Sequence, residues 1–253
     1  MPDKQLSVLD LIIESHVGLQ RQGPGSSEMT LKALSFLDNT DQISQIVDLG
    51  CGSGGQTMVL AQNLAGSITG VDISPDLINV FNDNAKKINL QERVKGVVGT
   101  IEELSFLKGE FDLVWSEGVI DSIGFEKALA YWNGFLKKNG YVVVTCPSWL
   151  TDEHPTVIEK FWSDVGSKLD TIGHNISSMQ KAGYSFIAAF TLPEKCWTDN
   201  YFIPRGAAEK ALLEKYAGNK TVEAYVKEAR HEVDLYSEYK QFYGYVFYIG
   251  RKI

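Results

Sequence analysis

The sequence predicts an α/β fold, a doubly wound and mostly parallel sheet, and three observations carry that prediction. Residues Ile46-Val47-Asp48-Leu49-Gly50-Cys51-Gly52-Ser53-Gly54-Gly55 run from an apolar stretch, through an acid, into a glycine-dense turn that opens a helix. A second apolar run, Ile68-Thr69-Gly70-Val71, ends in Asp72, 22 positions beyond Gly50. Strand-like and helix-like segments alternate five times up to residue 146, the sign of parallel strands joined by helical crossovers. Strand, glycine turn, helix, strand and acid are the parts with which a doubly wound sheet holds an adenosine-bearing cofactor.

Taken in order, Leu6, Leu9, Ile13 and Val17 recur at helical spacing and predict an amphipathic helix over 4–20. Arg21-Gln22-Gly23-Pro24-Gly25-Ser26-Ser27 is a breaker cluster whose serines can cap a helix over 28–38. Strand 45–49, helix 54–65, strand 67–73 and helix 75–88 follow. Ser74-Pro75 opens the last of these, a capping hydroxyl before a proline at the first helical position. Strands over 93–98, 111–116 and 140–146 and a helix over 124–137 complete the alternation; the strand at 93–98 is poor in bulk and is expected at an edge. Past Pro147 the rhythm changes. Helices are expected over 155–169 and 172–182, a strand over 184–191, and a helical insertion over 194–240 with helices near 206–217 and 220–240. The aromatic, β-prone segment from Phe242 to Ile249 follows. No linker, repeat or low-complexity tract divides the chain. One domain over 1–253 is therefore expected: N-terminal helices over 1–40, a cofactor-binding core over 45–147, and the 194–240 insertion as a candidate acceptor cap.

Composition excludes several classes. With 44% hydrophobic and 22% charged residues the chain has ordinary globular content, and 253 residues can bury a sizeable core. A formal charge of −8 without a dense Lys/Arg run disfavours nucleic acid as a partner, because such binding rests on phosphate neutralisation. Cys51, Cys146 and Cys196 are odd in number and form no CxxC pair, which suggests reduced thiols of a cytoplasmic protein. The four histidines show no metal-ligand spacing, so no metal is expected. Neither a signal peptide nor an apolar run of membrane-spanning length is visible, so no membrane partner is expected. The oligomeric state is left open.

The glycine turn has two readings. Gly50-x-Gly52-x-x-Gly55 satisfies the dinucleotide fingerprint, which would make the chain an NAD(P)-dependent oxidoreductase. Asp48 weighs against that, since a pyrophosphate seeks bare amides at a helix N-terminus and a carboxylate at the mouth of the turn would repel it. A ligand with an amine would be attracted instead, and S-adenosylmethionine carries one at its methionine end. Residues Val47 to Gly54 resemble the first motif of the class I S-adenosylmethionine-dependent methyltransferases. Val71-Asp72-Ile73-Ser74 resembles the second motif of that family, Phe111-Asp112-Leu113-Val114-Trp115-Ser116 its fourth strand, and Leu136 to Val144 the entry into its fifth. The resemblance covers roughly 45–147. It implies a seven-stranded, Rossmann-like sheet in which the segment from Phe242 is an antiparallel last strand beside the fifth. It implies S-adenosylmethionine as the cofactor and methyl transfer to a small-molecule acceptor. The pattern is similar to the ubiquinone/menaquinone methyltransferase-like group, although the loop from Ser116 to Gly124 is unlike the quinone enzymes' loop. A noncatalytic S-adenosylmethionine-binding protein is the third reading.

On this resemblance, Gly50, Gly52 and Gly54 let the backbone close on the methionine portion where a Cβ would clash. Asp48 would attract the amine, and Asp72, with Ile73 beside it, would accept from the ribose hydroxyls. Asp72 also suits the dipole of the helix that follows. Thr100 stands where many relatives carry an adenine-binding Asp; Thr100 and the backbone of Ile101 are candidates for the ring edge, with a plain surface turn as the alternative. Ser116 and Glu117 follow the fourth strand, where Glu117 could hold the amine, act as a general base, or be a solvated loop acid. Arg21 could pair with the methionine carboxylate from a lid over the cofactor, or lie in an ordinary connection between helices. Because the sulfonium loses its charge on transfer, carboxylates belong at the amine and ribose rather than against the sulfur. His154 is a candidate proton acceptor, as is His174, against the alternative of a structural histidine. Trp149, Phe161, Trp162, Trp197, Tyr201 and Phe202 suggest a partly apolar acceptor pocket.

Overall fold

Each strand expected from the pattern forms in the computed structural model, which describes residues 6–253. The strands are β1 (Gln45–Leu49), β2 (Ser67–Asp72), β3 (Val94–Val98), β4 (Phe111–Glu117), β5 (Leu136–Trp149), the two-residue β6 (Asp170–Thr171), β7 (Tyr184–Thr191) and β8 (Tyr243–Lys252). They lie in the order β3-β2-β1-β4-β5-β8-β7, with β6 pairing the end of β5. The main path thus has the seven strands expected, and β6 adds a short eighth. β1 to β5 are mutually parallel, while β8 runs antiparallel between β5 and β7. Between β1 and β4 the direction of sheet growth reverses, which opens a crevice at the strands' carboxyl ends.

The helices are α1 (Val8–His16), α2 (Ser27–Leu34), α3 (Gly55–Asn63), α4 (Pro75–Lys87), α5 (Phe125–Asn133), α6 (Thr156–Asp164), α7 (Ile172–Lys181), the single turn α8 (Lys195–Trp197), α9 (Ile203–Lys215) and α10 (Lys220–Tyr239). A strand covered on both faces needs apolar side chains at successive positions, which is why the central strands read as near-continuous apolar runs. Ile46, Leu113, Trp115, Val143 and Phe247 pack on one face with α2, α3, α4 and the insertion. Val47, Val114, Val142, Val144 and Tyr248 pack on the other with α5 and α7. A third, smaller cluster lies apart from the sheet: Leu11 of α1 against Leu212 of α9 and Val222 and Val226 of α10. β3 is an edge strand, with Val97 and Val98 exposed, as its lack of bulk predicted.

Several boundaries differ from expectation for identifiable reasons. The first helix is shorter than 4–20: Ser7 and Asp10 form a reciprocal cap ahead of Val8, and the chain leaves the helix after His16. Residues 4 and 5 lie outside the described residues. α5 ends at Asn133 because β5 begins at Leu136, paired to Phe111 across a register shift before Leu113. The helix expected over 155–169 stops at Asp164, and Gly166 in the left-handed region (φ 84°) follows its end. Ser74 caps α4 through the amide of Leu77, with Pro75 in the first turn, as the sequence indicated. No helix among the described residues is long and apolar enough to cross a membrane.

Candidate active site at the carboxyl ends of β1, β2 and β4

The turn after β1 requires glycine. Gly50, Gly52 and Gly54 all have positive φ (72°, 54° and 87°), a region that side chains rarely adopt. A Cβ on Gly50 would stand 2.4 Å from Val119 Cγ1, and one on Gly52 would stand 2.1 Å from Gln22 Oε1. The amides of Gly50 and Cys51 both donate to the carbonyl of Val71, at 2.8 and 3.0 Å, tying the turn to β2. Asp72 at the end of β2 accepts from Gly52 N on Oδ2 and from Ser74 N on Oδ1, each at 2.9 Å. A carboxylate offers about four acceptor positions, so one remains on each oxygen, the arrangement a vicinal diol needs. Ile73 beside it is 74% exposed.

Asp48 is placed differently from expectation. The pleat puts it on the same face of β1 as Ile46, beneath α3, where it is wholly buried. Thr57 Oγ1 donates to its Oδ2 at 2.5 Å, while Oδ1 has no hydrogen-bond partner. Burial pushes its carboxyl up to about 7; the Thr57 bond opposes that shift and the nearby Glu117 charge adds to it. Asp48 does not line the crevice, so a direct grip on an amine is not its geometry here.

Glu117 does line it. Arg21 Nη1 donates to Glu117 Oε2 at 2.6 Å in an ion pair whose two side chains are 7% and 6% exposed. Thr30 Oγ1 and Trp115 Nε1 both donate to Glu117 Oε1, at 2.8 and 2.9 Å, and Arg21 Nη2 donates to Thr30 at 2.8 Å. Three donors on one carboxylate hold a fixed negative charge. They leave little acceptor capacity for a substrate proton, which corrects the general-base expectation for Glu117. Ser116 is also corrected: its hydroxyl is fully buried and donates to the carbonyl of Leu49 at 2.8 Å, so it binds β1 to β4 and does not face the crevice.

The segment after α1 lies directly over the glycine turn. Gln22 Oε1 accepts from Ser53 N at 3.0 Å, and Gln22 Nε2 donates to Ser53 Oγ at 3.0 Å. With Arg21, Gly23 and Pro24 it roofs a crevice of about 150 Å³ floored by Gly50, Cys51, Gly52 and Asp72. Sites for drug-sized ligands run from roughly 300 Å³, so a nucleoside needs this roof displaced. Thr100 and Ile101 follow β3 beside Asp72, whose carbonyl accepts from Gly99 N at 2.9 Å. Ile101 O accepts from Trp132 Nε1 at 3.2 Å, and neither residue lines the crevice in this arrangement.

A second cavity, of about 950 Å³, adjoins the crevice, and Gln22 and Leu77 belong to both walls. It lies among α1, α10 and the turn leading into α9. Of the six aromatic residues expected around an acceptor, Phe161 and Tyr201 line it. Trp149, Trp162, Trp197 and Phe202 belong to the core instead; Trp197 stacks on Tyr236 with ring centroids 4.5 Å apart. His154 is corrected as well. It lies in the loop between β5 and α6, stacks on Trp149 at 3.6 Å and lines neither cavity. His174 sits on α7, more than half exposed, near Asp170.

The histidine that does reach the cavity is His16. It is 8% exposed, its Nδ1 lies 2.8 Å from the carbonyl of Ile12, and its Nε2 lies 3.1 Å from Tyr201 Oη. Burial holds His16 below the ordinary imidazole range, and the Arg205 charge acts in the same direction. Arg205 Nη1 donates to Tyr201 Oη at 3.1 Å and pairs with Glu232 at 2.6 Å, while its Nε lies 2.9 Å from Glu209. One signal for His16 was present in the sequence: it continues the apolar stripe of Ile12 and Ile13, a polar side chain on an apolar helix face.

Comparison with known proteins agrees with this geometry. Residues 47–144 match a family described as methyltransferase domain. Chloroplastic tocopherol O-methyltransferase of Arabidopsis thaliana is 31% identical over 127 residues, 46% of this chain and 36% of that protein. The chain covers only 20–36% of the length of the first curated relatives it matches. Among solved structures, phosphoethanolamine N-methyltransferase 2 of Haemonchus contortus with S-adenosyl-L-methionine superposes with a TM-score of 0.70 at 18% identity, covering 99% of this chain and 58% of that one. The cyclase SpnF superposes with a TM-score of 0.77 at 18% identity, covering 97% of this chain and 93% of that one. At such identities these structures speak to the fold, and the motifs speak to the family. Strand order and glycine turn agree with the methyltransferase-domain match over residues 47–144.

Proposed function

We propose that the protein transfers a methyl group from S-adenosylmethionine to a small-molecule acceptor. The observation that carries the reading is Asp72, each oxygen anchored by one backbone amide and each keeping one acceptor position, beside a turn in which a side chain at Gly50 or Gly52 would collide with its neighbours. Those residues fit a ribose and an amino-acid tail. When bound, the cofactor supplies a methyl group already activated on a sulfonium. The chain's own part is to bind, orient and exclude water. Asp72 would hold the ribose hydroxyls, with Ile73, Thr100 and Ile101 beside the adenine. Arg21 and Glu117 now neutralise each other; parted by the zwitterionic methionine end, Arg21 would meet its carboxylate and Glu117 its amine. Residues 20–25 would then close over the cofactor as a lid, and Asp48 beneath the turn would favour the cationic ligand through its field. The second cavity would take the acceptor. The acidic balance argues against nucleic acid, and three free, buried cysteines suit a cytoplasmic location.

Calorimetry tests the cofactor. S-adenosylmethionine should bind, and Asp72→Ala should weaken it by about 10- to 150-fold, the loss of roughly 1.5–3 kcal/mol from a charge-assisted acceptor, with the fold retained and the melting temperature lowered only by the two amides left without their acceptor. Tight binding of NAD(H) with none of S-adenosylmethionine would reverse the reading. A related fold also serves a protein described as a cyclase, and fold alone does not fix the reaction. Transfer of label from methyl-tritiated cofactor to a metabolite in cell extract therefore separates methyl transfer from mere cofactor binding.

A further inference from the structure

We propose that the second cavity takes an uncharged, largely apolar acceptor bearing a hydroxyl of phenol type, and that His16 receives the hydroxyl's proton through Tyr201. The proposal rests on the methyl-transfer reading and adds the acceptor class and the proton's destination. Val8, Ile12, Ile13, Val165 and Phe161 supply apolar wall, and the cavity meets the cofactor crevice at Gln22 and Leu77. Polar groups converge at one place. His16 Nδ1 lies 2.8 Å from the carbonyl of Ile12, which can only accept, and 2.9 Å from Ser15 Oγ, which can do either; the carbonyl therefore favours the tautomer with the proton on Nδ1 and Nε2 bare. Tyr201 Oη, 3.1 Å away, therefore donates to Nε2, and it accepts from Arg205 at 3.1 Å. That is a directed chain from cavity wall to imidazole, in which burial disfavours the charged form of His16.

The charges around this chain select the acceptor. Arg205 is already met by Glu209 and Glu232, and Lys220 by Glu223 at 2.7 Å. Among the described residues that line the cavity, Arg205 and Lys220 each already have a carboxylate partner, while Glu228 and Glu232 in the wall repel a phosphate or carboxylate. A hydroxyl, in contrast, can donate to the acceptor position still open on Tyr201 Oη, whose own proton goes to His16 and whose other lone pair takes Arg205. In the step, the acceptor oxygen forms a bond to the methyl carbon as the sulfonium–methyl bond breaks and its electron pair returns to sulfur, leaving a neutral thioether. The hydroxyl proton passes to Tyr201 Oη as Tyr201 gives its own proton to His16 Nε2, so the positive charge lost at sulfur reappears on the imidazolium. Glu232 beside Arg205 offsets that charge.

The test uses the full chain with methyl-tritiated S-adenosylmethionine and two probes, 4-octylphenol and 4-octylbenzoate. Label should enter the phenol and not the benzoate. His16→Ala should lower kcat by at least about 100-fold, the low end for loss of a proton acceptor, with KM and cofactor affinity little changed. Added imidazole should restore turnover in His16→Ala, a response that a packing role would not give, and Tyr201→Phe should be slow and unrescued. Equal use of the benzoate, full turnover by His16→Ala, or a loss that imidazole does not repair would overturn the proposal. So would failure to label the phenol by a protein that binds the cofactor. If the cofactor itself does not bind, the methyl-transfer reading fails separately. Calorimetry of the two probes, with Ala224→Trp to fill the cavity, then still decides the acceptor class: phenol binding abolished by the filled cavity supports it, and equal or tighter benzoate binding sinks it.

Discussion

In the sheet half, backbone holds the side chains that matter: Asp72 hangs on the amides of Gly52 and Ser74, and the glycine turn hangs on the carbonyl of Val71. In the cap of α1, α9 and α10, side chains from distant segments hold one another: His16 on Tyr201, Tyr201 on Arg205, Arg205 on Glu232. The apolar support differs as well. Two large clusters sandwich the sheet, whereas the cap's own cluster has only Leu11, Leu212, Val222 and Val226 fully buried among the described residues. A region with few buried apolar contacts opens locally at lower free energy than the strands do. On the proposed reading, the cofactor would meet the more rigid side and the acceptor the more adjustable one.

The largest test compares two truncations. Leu113→Ala and Leu212→Ala should each cost about 2–5 kcal/mol where they act, by lost burial and a residual cavity. Leu113 lies between the sheet's layers, so its loss should lower the global melting temperature. The loss at Leu212 should appear as faster hydrogen exchange in α1, α9 and α10 with a much smaller change in melting. If Leu212→Ala lowers melting as far as Leu113→Ala, the two regions are one cooperative unit and the contrast is wrong.

Acid should act on the halves with opposite sign. The Asp48 carboxyl is raised to about 7 in the fold, against about 3.9 in an unfolded chain, so between those values the folded state binds more protons. Its contribution is fully present below about pH 4 and is lost as pH rises through 7, by roughly 2–4 kcal/mol at about 1.4 kcal/mol per unit. Asp48→Asn should flatten that slope and melt higher than the parent chain at pH 8. His16 is shifted downward, so the unfolded imidazole takes the proton first, and the cap's stability is lost as pH falls below the ordinary imidazole range. Hydrogen exchange, corrected for its intrinsic pH dependence, should show the cap loosening at pH 5.5 while Asp48 makes the sheet side firmer; a uniform response would contradict both assignments.

The smallest effect on stability belongs to Gly55→Ala. Gly55 starts α3 without a positive φ, so alanine suits its backbone, but the new Cβ would stand 2.2 Å from the carbonyl oxygen of Gln20. Residues 20–25 should lift from the turn, and trypsin should cut after Arg21 faster than in the parent protein, with little change in melting. Continued protection of Arg21 would mean that the segment is not poised to move.

Legibility in the sequence followed the same division. The strands, the glycine turn and Asp72 were readable because each depends on local chemistry: periodicity, positive φ, and an acid at a strand end. Asp48 was readable as a charge but not as an orientation, since α3 folding over the Ile46 face decides what it meets. The 194–240 insertion was readable as a candidate cap, with Phe161 and Tyr201 among its pocket residues, but the part played by His16 was not. His16 and Tyr201 are 185 positions apart, and no local pattern announces a contact made by tertiary packing. His154 was named as a candidate proton acceptor for its side-chain chemistry alone, and nothing local announces the ring of Trp149 against which it stacks. Trp197 and Phe202 were grouped correctly with each other but assigned to a pocket when they fill the core, because an aromatic side chain carries no label for which surface it covers.

Gln22 gives this architecture a thermodynamic obligation. One amide side chain touches the floor of the nucleoside crevice and walls the neighbouring chamber, so any ligand that moves it alters the other's welcome. Linkage makes the exchange reciprocal: whatever factor the nucleoside imposes on the acceptor's affinity, the acceptor imposes on the nucleoside's. On the proposed reading, a single glutamine would make two recognition events interdependent without any subunit rotation or distant relay.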